Sequence, residues 1–200
     1  MLNITEMTEI SETTAEQSAS ALQRFKIVMD ALEIPFCLFL GTALGAYRDQ
    51  AFCPGDEDDM DVAVDIKYFP MLDKIIGNLC NPNLFQQHKD YIADDKVCPE
   101  IAFSMVYPGQ NYSKIDIFFT QEINGQTAWR FYPVHDLNVN VTKLIDKRFL
   151  KTQDKIKFFG TEYNIPSHIE EYLAVNYGDW ETPINRLNFC WTYGNKAPRL

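Results

Sequence analysis

The chain has 200 residues, of which 46% are hydrophobic and 14% aromatic, and this composition predicts a folded domain with its own core. Disordered, collagen-like and disulfide-rich classes are excluded. With 28 acidic and 18 basic residues the net charge is −10, so the chain lacks the basic surface that binding to a nucleic acid requires. An anionic small molecule as partner would need local cations or a bound metal ion.

The start of the chain and its cysteines favour a cytoplasmic protein. Residues 1–17 are polar and acidic, unlike the basic and then apolar start of a signal peptide. The longest apolar run, residues 34–47, is short for a membrane span and contains two glycines. The five cysteines form no CxxC pair, which favours reduced thiols. We expect a cytoplasmic location without a transmembrane segment, and the inner face of a membrane stays open as a working place.

The first elements in chain order are a helix, a strand and a tight turn. Apolar residues recur at three- and four-residue steps over 14–33, which predicts a helix that ends before Pro35. The continuous apolar run 36–40 is typical of a central strand covered on both faces. Gly41 follows at once and permits close approach of the backbone, and a short helix is expected from there to Arg48.

The rest of the chain mixes strands and helices. Residues 60–65 alternate as a strand, and helices are expected over 67–79 and about 167–177. Strand-like pieces separated by proline and glycine lie around 84–88, 101–107, 114–119, 127–132 and 155–159. The order predicts an α+β fold with a mixed sheet flanked by helices. We expect one compact domain over residues 1–200, with a core at about 14–183 between polar tails.

An acidic cluster enters one of these predicted strands. Residues 56–65 contain six carboxylates, a pattern that usually marks a solvated loop, but Asp59 and Asp61 point the same way from a rigid strand. A calcium-binding loop is disfavoured because Met60 stands at its fifth position and no glycine stands at its sixth. The third explanation is a pair of carboxylates that binds one or two divalent ions, since packed acids repel one another unless a cation compensates them.

Asp116 is the candidate for a third ligand. It lies within the apolar run 113–119, where a charge is costly if it is buried without a partner. The alternative is an aspartate at a strand end that faces solvent. With Asp116 on a neighbouring strand, Asp59, Asp61 and Asp116 become the predicted catalytic residues and ligands of Mg²⁺ or Mn²⁺, which prefer oxygen ligands.

Two segments resemble the LicD/fukutin family of phosphotransferases. The first is FLGTALGAYRDQAFCPGDEDDMDVAVD, residues 39–65, where the family has a strand, a Gly-Thr or Gly-Ser turn, Leu-Gly-x-x-Arg and an acid-hydrophobic-acid strand. The second is EEYLAVNYGDWETP, residues 170–183, which is similar to the closing segment of the family. KIDIFF, residues 114–119, stands where the family has its third acid. The chain departs from the pattern in having Gly55 where the family has tryptophan, and in one extra acidic residue.

The resemblance implies a polymerase-β-like nucleotidyltransferase fold and a metal-dependent transfer. A phosphorylated alcohol, such as phosphocholine or ribitol phosphate, would pass from a CDP-activated donor to a glycan hydroxyl. Gly41, Thr42 and Arg48 would bind donor phosphate, and Trp180 would stack on a base or pack near the site. Two alternatives stay open: a nucleotidyltransferase that adds a nucleoside monophosphate to a small molecule or protein, and a non-catalytic member that binds nucleotide or glycan.

Overall fold

The computed structural model describes residues 14–80, 86–91, 100–105, 113–131 and 141–183, and for 86–91, 100–105, 131 and 141 it describes the backbone alone. The described α-helices are α1 (Thr14–Ala31), α2 (Leu40–Leu44), α3 (Leu72–Leu79), α4 (Arg148–Lys151) and α5 (Ile169–Tyr177). The described strands are β1 (Cys37–Leu38), β2 (Asp59–Asp65), β3 (Gln86–Tyr91), β4 (Glu100–Met105), β5 (Ser113–Ile123), β6 (Gln126–Phe131), β7 (Val141–Asp146), β8 (Gln153–Phe158) and β9 (Thr161–Pro166). A π-helical turn, Gly45–Asp49, follows α2, and a 3-10 segment, Ile66–Met71, precedes α3.

The strands form one mixed sheet and a separate hairpin. The sheet order is β1-β2-β5-β4-β3, in which β2 and β5 are parallel and the other neighbours are antiparallel. The far end of β5 also pairs with β6, which pairs with β7. The hairpin of β8 and β9 is joined to the chain before β1 by a 2.9 Å hydrogen bond from Asn164 to the carbonyl of Phe36. The predicted α+β fold, with a mixed sheet flanked by helices, is confirmed.

Alternation along β2 and β5 separates an apolar face of the sheet from a face that carries acidic residues. Met60, Val62 and Val64 pair in register with Ile115, Ile117 and Phe119, and all six side chains are buried. On the opposite face the same two strands carry acidic residues at one end and Phe118 further along. Successive side chains of a strand point to opposite faces, so the alternation that buries the apolar residues also places the acids together on the other face.

An aromatic cluster attaches α5 to this second face. Phe39, Phe118, Trp129 and Tyr172 are nearly fully buried, and their neighbouring ring centroids lie 5.4 to 5.9 Å apart. Such ring pairs contribute about 0.5–1.5 kcal/mol each beyond their buried area. The cluster therefore holds the helix, the strand pair and the segment before α2 in one arrangement beside the acids.

The structure corrects the prediction for residues 36–40. They are buried as expected, but only Cys37–Leu38 form a strand, and that strand lies at an end of the described sheet because it pairs with β2 alone. The extended run stops because Leu40 adopts a left-handed backbone, with φ of 41°, and begins α2. Residues 36–40 are covered by helices and by the hairpin. An apolar run in the sequence indicates burial, but it does not indicate whether helices or neighbouring strands provide it.

Several smaller expectations have mixed outcomes. The alternating strand and the helix before Pro35 are present, while β7 and β9 were not predicted. Cys37, Cys53 and Cys80 are free thiols, and Cys98 and Cys190 lie outside the described residues, as do the predicted polar tails. Across the described residues no helix combines the length and the apolar character that crossing a membrane requires.

Candidate active site

Three carboxylates converge at one end of the parallel pair β2 and β5. Asp61 faces Asp116 directly in the register of the two strands, and Asp59 lies two residues earlier on the same face of β2. One carboxylate oxygen from each of Asp59, Asp61 and Asp116 lies within 4.8 Å of the others. Asp116 is buried, whereas Asp59 and Asp61 are half-buried, so the cluster opens to solvent on the β2 side.

The turn between β1 and α2 is bonded to the central acid of this cluster. The backbone N–H of Gly41 donates to Oδ2 of Asp61 at 3.1 Å, and the hydroxyl oxygen of Thr42 accepts the backbone N–H of Asp61 at 2.8 Å. The preceding residue, Leu40, donates its N–H to the hydroxyl of Tyr172 at 3.2 Å. These bonds support the left-handed backbone of Leu40 and hold both the main chain and the carboxylate of Asp61.

Two acids approach the α-carbon of Gly41 closely. A Cβ at this position would lie 2.9 Å from Oδ2 of Asp56 and 3.4 Å from Oδ2 of Asp61. Asp56 is therefore a fourth acid at the site. It precedes the predicted strand, so the alternation of that strand does not predict its position here. Its signal in the sequence, membership of the acidic run, was shared with Glu57 and Asp58.

The electrostatics of the cluster raise the pKa of Asp61. Burial is the main cause, and the negative charges of Asp59, Asp116 and Asp56 act in the same direction, while Lys114 opposes them. Neutral carboxyl is favoured when acids are packed in this way. A cation bound at the site would therefore reduce the repulsion between the carboxylates and stabilise their charged forms.

One such cation belongs to the chain itself. Nζ of Lys114 lies 2.8 Å from Oδ2 of Asp116 and 3.0 Å from Oδ1 of Asp59. Burial lowers the pKa of Lys114, but the charges of Asp116 and Asp59 and their hydrogen bonds raise it overall. Lys114 is not among the residues predicted for the site, although its position two residues before Asp116 puts both on one face of β5.

The residues present fit a hard divalent cation such as Mg²⁺ or Mn²⁺. The donor set is made of carboxylate oxygens, which these ions prefer, and it comes from two adjacent strands of the sheet. The absent side chain of Gly41 leaves room for two carboxylates, and the ammonium of Lys114 stands in for a positive ion among them. Asp59, Asp61 and Asp116 are the residues that could bind the metal.

Arg48 and Trp180, both predicted to bind substrate, contact one another. Nε and Nη2 of Arg48 form a bidentate pair with Asp49 at 2.8 and 2.7 Å, and Nη1 donates to the carbonyl of Trp180 at 3.0 Å. The Trp180 ring lies 5.7 Å from the ring of Tyr47. Arg48 thus joins the π-helical turn to the segment after α5.

The half-buried thiol of Cys53 and the buried hydroxyl of Tyr177 are two further titratable groups near the acids. Burial raises the pKa of the Cys53 thiol to about 12, and its Sγ donates to the carbonyl of Gly41 at 3.5 Å. Burial is also the main cause of the raised pKa of Tyr177, and the charges of Tyr172 and Asp61 add to it. Both groups are therefore neutral at physiological pH.

Comparison with known proteins identifies the class to which this fold and site belong. Residues 33–168 match the family described as LicD/FKTN/FKRP, nucleotidyltransferase domain. Because the match covers more than half of the chain, the chain belongs to this family, and the resemblance seen in the motifs is confirmed.

The similar curated proteins are ribitol-5-phosphate transferases named FKTN. The mouse protein is 27% identical over 192 residues, which is 92% of this chain and 37% of that protein. The human protein is 25% identical over 185 residues, which is 90% of this chain and 35% of that protein. The chain thus spans a little over one third of the length of these relatives.

Proposed function

We propose that this chain transfers a phosphorylated alcohol, of the ribitol phosphate or phosphocholine type, from a CDP-activated donor to a glycan hydroxyl. The observation that carries the proposal is the convergence of Asp59, Asp61 and Asp116 beside the Gly41 turn. Membership of the LicD/FKTN/FKRP family supports it, as do relatives named ribitol-5-phosphate transferase.

Asp59, Asp61 and Asp116 would bind Mg²⁺ or Mn²⁺. Such an ion, when bound, neutralises charge on a diphosphate and makes an attacking hydroxyl oxygen more nucleophilic. The carboxylates alone would repel an anionic donor, in a chain whose net charge is already −10. We assign Asp116 the further role of accepting the proton from the acceptor hydroxyl, because it comes from the second strand and is the most buried of the three.

The turn residues would keep the acids in position during transfer. The hydrogen bond that Gly41 donates holds the carboxylate of Asp61, and the one that Thr42 accepts holds its main chain. A residue that binds a metal needs such support if its geometry is to be stable. Binding of donor phosphate by Gly41, Thr42 and Arg48 stays part of the proposal. Arg48 would exchange its bidentate pair with Asp49 for a phosphate of the same geometry.

The experiment is a transfer assay with CDP-ribitol and CDP-choline, an acceptor glycan, and either Mg²⁺ or EDTA. Release of CMP that depends on Mg²⁺, with a gain of the phospho-alcohol mass by the acceptor, is expected. Asp59→Asn and Asp61→Asn should abolish both signals while circular dichroism shows an intact fold. Asp65→Asn is the matched control, because Asp65 lies on the same face of β2 but is exposed.

Other outcomes would separate the alternatives. Activity retained in Asp59→Asn or Asp61→Asn would contradict the proposed chemistry. An acceptor that gains a nucleoside monophosphate would instead indicate a nucleotidyltransferase. Donor binding in Mg²⁺ without any release of CMP would indicate a non-catalytic member.

A further inference from the structure

Lys114 lies inside the carboxylate cluster, and the proposed reaction gives it no role. Its side chain is 25% exposed, while that of Asp116 is 8% exposed, so the ion pair between them is largely shielded from water. Asp59 faces Lys114 directly in the register of β2 and β5. The ammonium therefore contacts one carboxylate from each of the two strands.

This position conflicts with a divalent ion at the same acids. The ammonium of Lys114 uses Oδ1 of Asp59 and Oδ2 of Asp116, and these two residues belong to the set that could bind the metal. Two cations that share the same carboxylates repel one another strongly at such short range. Lysine also has a flexible four-carbon side chain, so its ammonium can leave the acids while its backbone stays in β5.

We propose that Lys114 is the resident counter-ion of the carboxylate cluster, that a divalent cation displaces its ammonium, and that the released ammonium then binds the phosphates of the donor. The inference rests on the proposed function and extends it. Without metal, the ammonium keeps the acids assembled in spite of their mutual repulsion. With metal, the displaced ammonium supplies three hydrogen-bond donors next to the position that an anionic donor must occupy.

Two consequences distinguish this role from a purely structural one. First, displacement of the ammonium costs free energy that lowers the observed affinity for the metal, so the metal should bind weakly in the absence of donor. Second, metal and donor phosphate should assist one another, because the ammonium released by the first becomes available to the second. A lysine that only stabilised the fold would keep its contacts in the presence of metal.

The first test measures the reactivity of Lys114 in the wild-type protein. Acetylation by an N-hydroxysuccinimide ester is followed by peptide mass spectrometry in EDTA, in Mg²⁺, and in Mg²⁺ with inorganic pyrophosphate. We expect the rate at Lys114 to rise at least fivefold on addition of Mg²⁺ and to fall again with pyrophosphate. Lys155, which is exposed and pairs with Glu162 at 3.5 Å, is the internal reference and should not respond. Equal rates at Lys114 in EDTA and in saturating Mg²⁺ would overturn the inference.

The second test compares Mn²⁺ affinities by isothermal titration calorimetry. Lys114→Met should bind Mn²⁺ at least tenfold more tightly than the wild type, because no ammonium has to be displaced, and Lys114→Arg should resemble the wild type. Lys155→Met controls for the loss of one positive charge. Unchanged or weaker Mn²⁺ binding by folded Lys114→Met overturns the inference and leaves the proposed function standing. Absence of Mn²⁺ binding in both the wild type and folded Lys114→Met overturns the inference and the proposed function, and if Lys114→Met does not fold, the acetylation test decides.

Discussion

The variant Asp61→Asn tests whether the carboxylates repel one another in the metal-free protein. Oxygens of Asp59, Asp61 and Asp116 lie within 4.8 Å of one another. Two unit charges at that distance repel by about 3.5 kcal/mol at an effective dielectric constant of about 20. Asparagine removes one of these charges and keeps an oxygen that can accept the N–H of Gly41, so the hydrogen bond to the turn is preserved.

The net gain in stability is smaller than the sum of these repulsions. Lys114 already compensates Asp59 and Asp116, and burial with neighbouring acids raises the pKa of Asp61, so part of the repulsion is relieved by protonation. We therefore expect Asp61→Asn to raise the free energy of unfolding in EDTA by about 1–3 kcal/mol near neutral pH.

The direction of the pH dependence follows from the same pKa. Because the folded pKa of Asp61 lies above its ordinary value of 3.8, the wild type loses stability as the pH rises from that value through the folded pKa. Asparagine does not titrate and has no such loss. The stabilisation of the variant over the wild type should therefore be larger at about pH 8 than at about pH 5.

Urea unfolding followed by circular dichroism measures these differences in EDTA and in Mg²⁺. Mg²⁺ should stabilise the wild type and leave Asp61→Asn unchanged, since a ligand that binds only the folded state raises its stability. Asp65→Asn, on the same face of β2 but 54% exposed in its side chain, should differ from the wild type by less than about 0.5 kcal/mol. If Asp61→Asn is less stable than the wild type in EDTA, the argument from repulsion is refuted.

Three further predictions concern the space around two glycines, the hydrogen bond between Asp61 and Thr42, and the thiol of Cys53. Gly45→Ala should lower the free energy of unfolding by more than about 2 kcal/mol, because the added Cβ would lie 2.5 Å from a backbone oxygen. Gly77→Ala in α3 should instead raise the free energy of unfolding by about 0.5–1 kcal/mol, because the added Cβ would meet nothing within 4 Å and alanine favours a helix. Equal effects in urea unfolding would contradict this contrast. Thr42→Val removes the oxygen that accepts the N–H of Asp61 and should lower the free energy of unfolding by about 1–3 kcal/mol in the same assay. Thr42→Ser keeps that oxygen and should lose at most half as much. A Thr42→Val variant as stable as the wild type would show that the bond is dispensable. Burial raises the pKa of Cys53 to about 12, so iodoacetamide at about pH 8 should modify this thiol at least tenfold more slowly in the folded protein than in urea. Peptide mass spectrometry measures both rates, and similar rates would contradict the raised pKa.

Local sequence pattern was sufficient to predict several of the strands and helices and the residues of the site that lie on one strand. The alternation in residues 60–65 predicts the strand that the structure shows over Asp59–Asp65, and it directs Asp59 and Asp61 to one face, because the period of a strand does not depend on what surrounds it. The helix before Pro35 and the end of α5 near Gly178 follow from periodicity and from residues that stop helices. The motifs around Gly41 and after Glu170 also indicated the family, which the comparison confirmed.

Tertiary structure decided which partners these residues meet. The parallel register that sets Asp61 opposite Asp116 joins strands far apart in the chain, and no local pattern specifies such a register. The ion pairs of Lys114, the approach of Asp56 to Gly41 and the edge position of β1 all depend on this long-range packing. The spacing of residues along a strand determines the direction of each side chain, but the distance between side chains on different elements is determined only when those elements pack together.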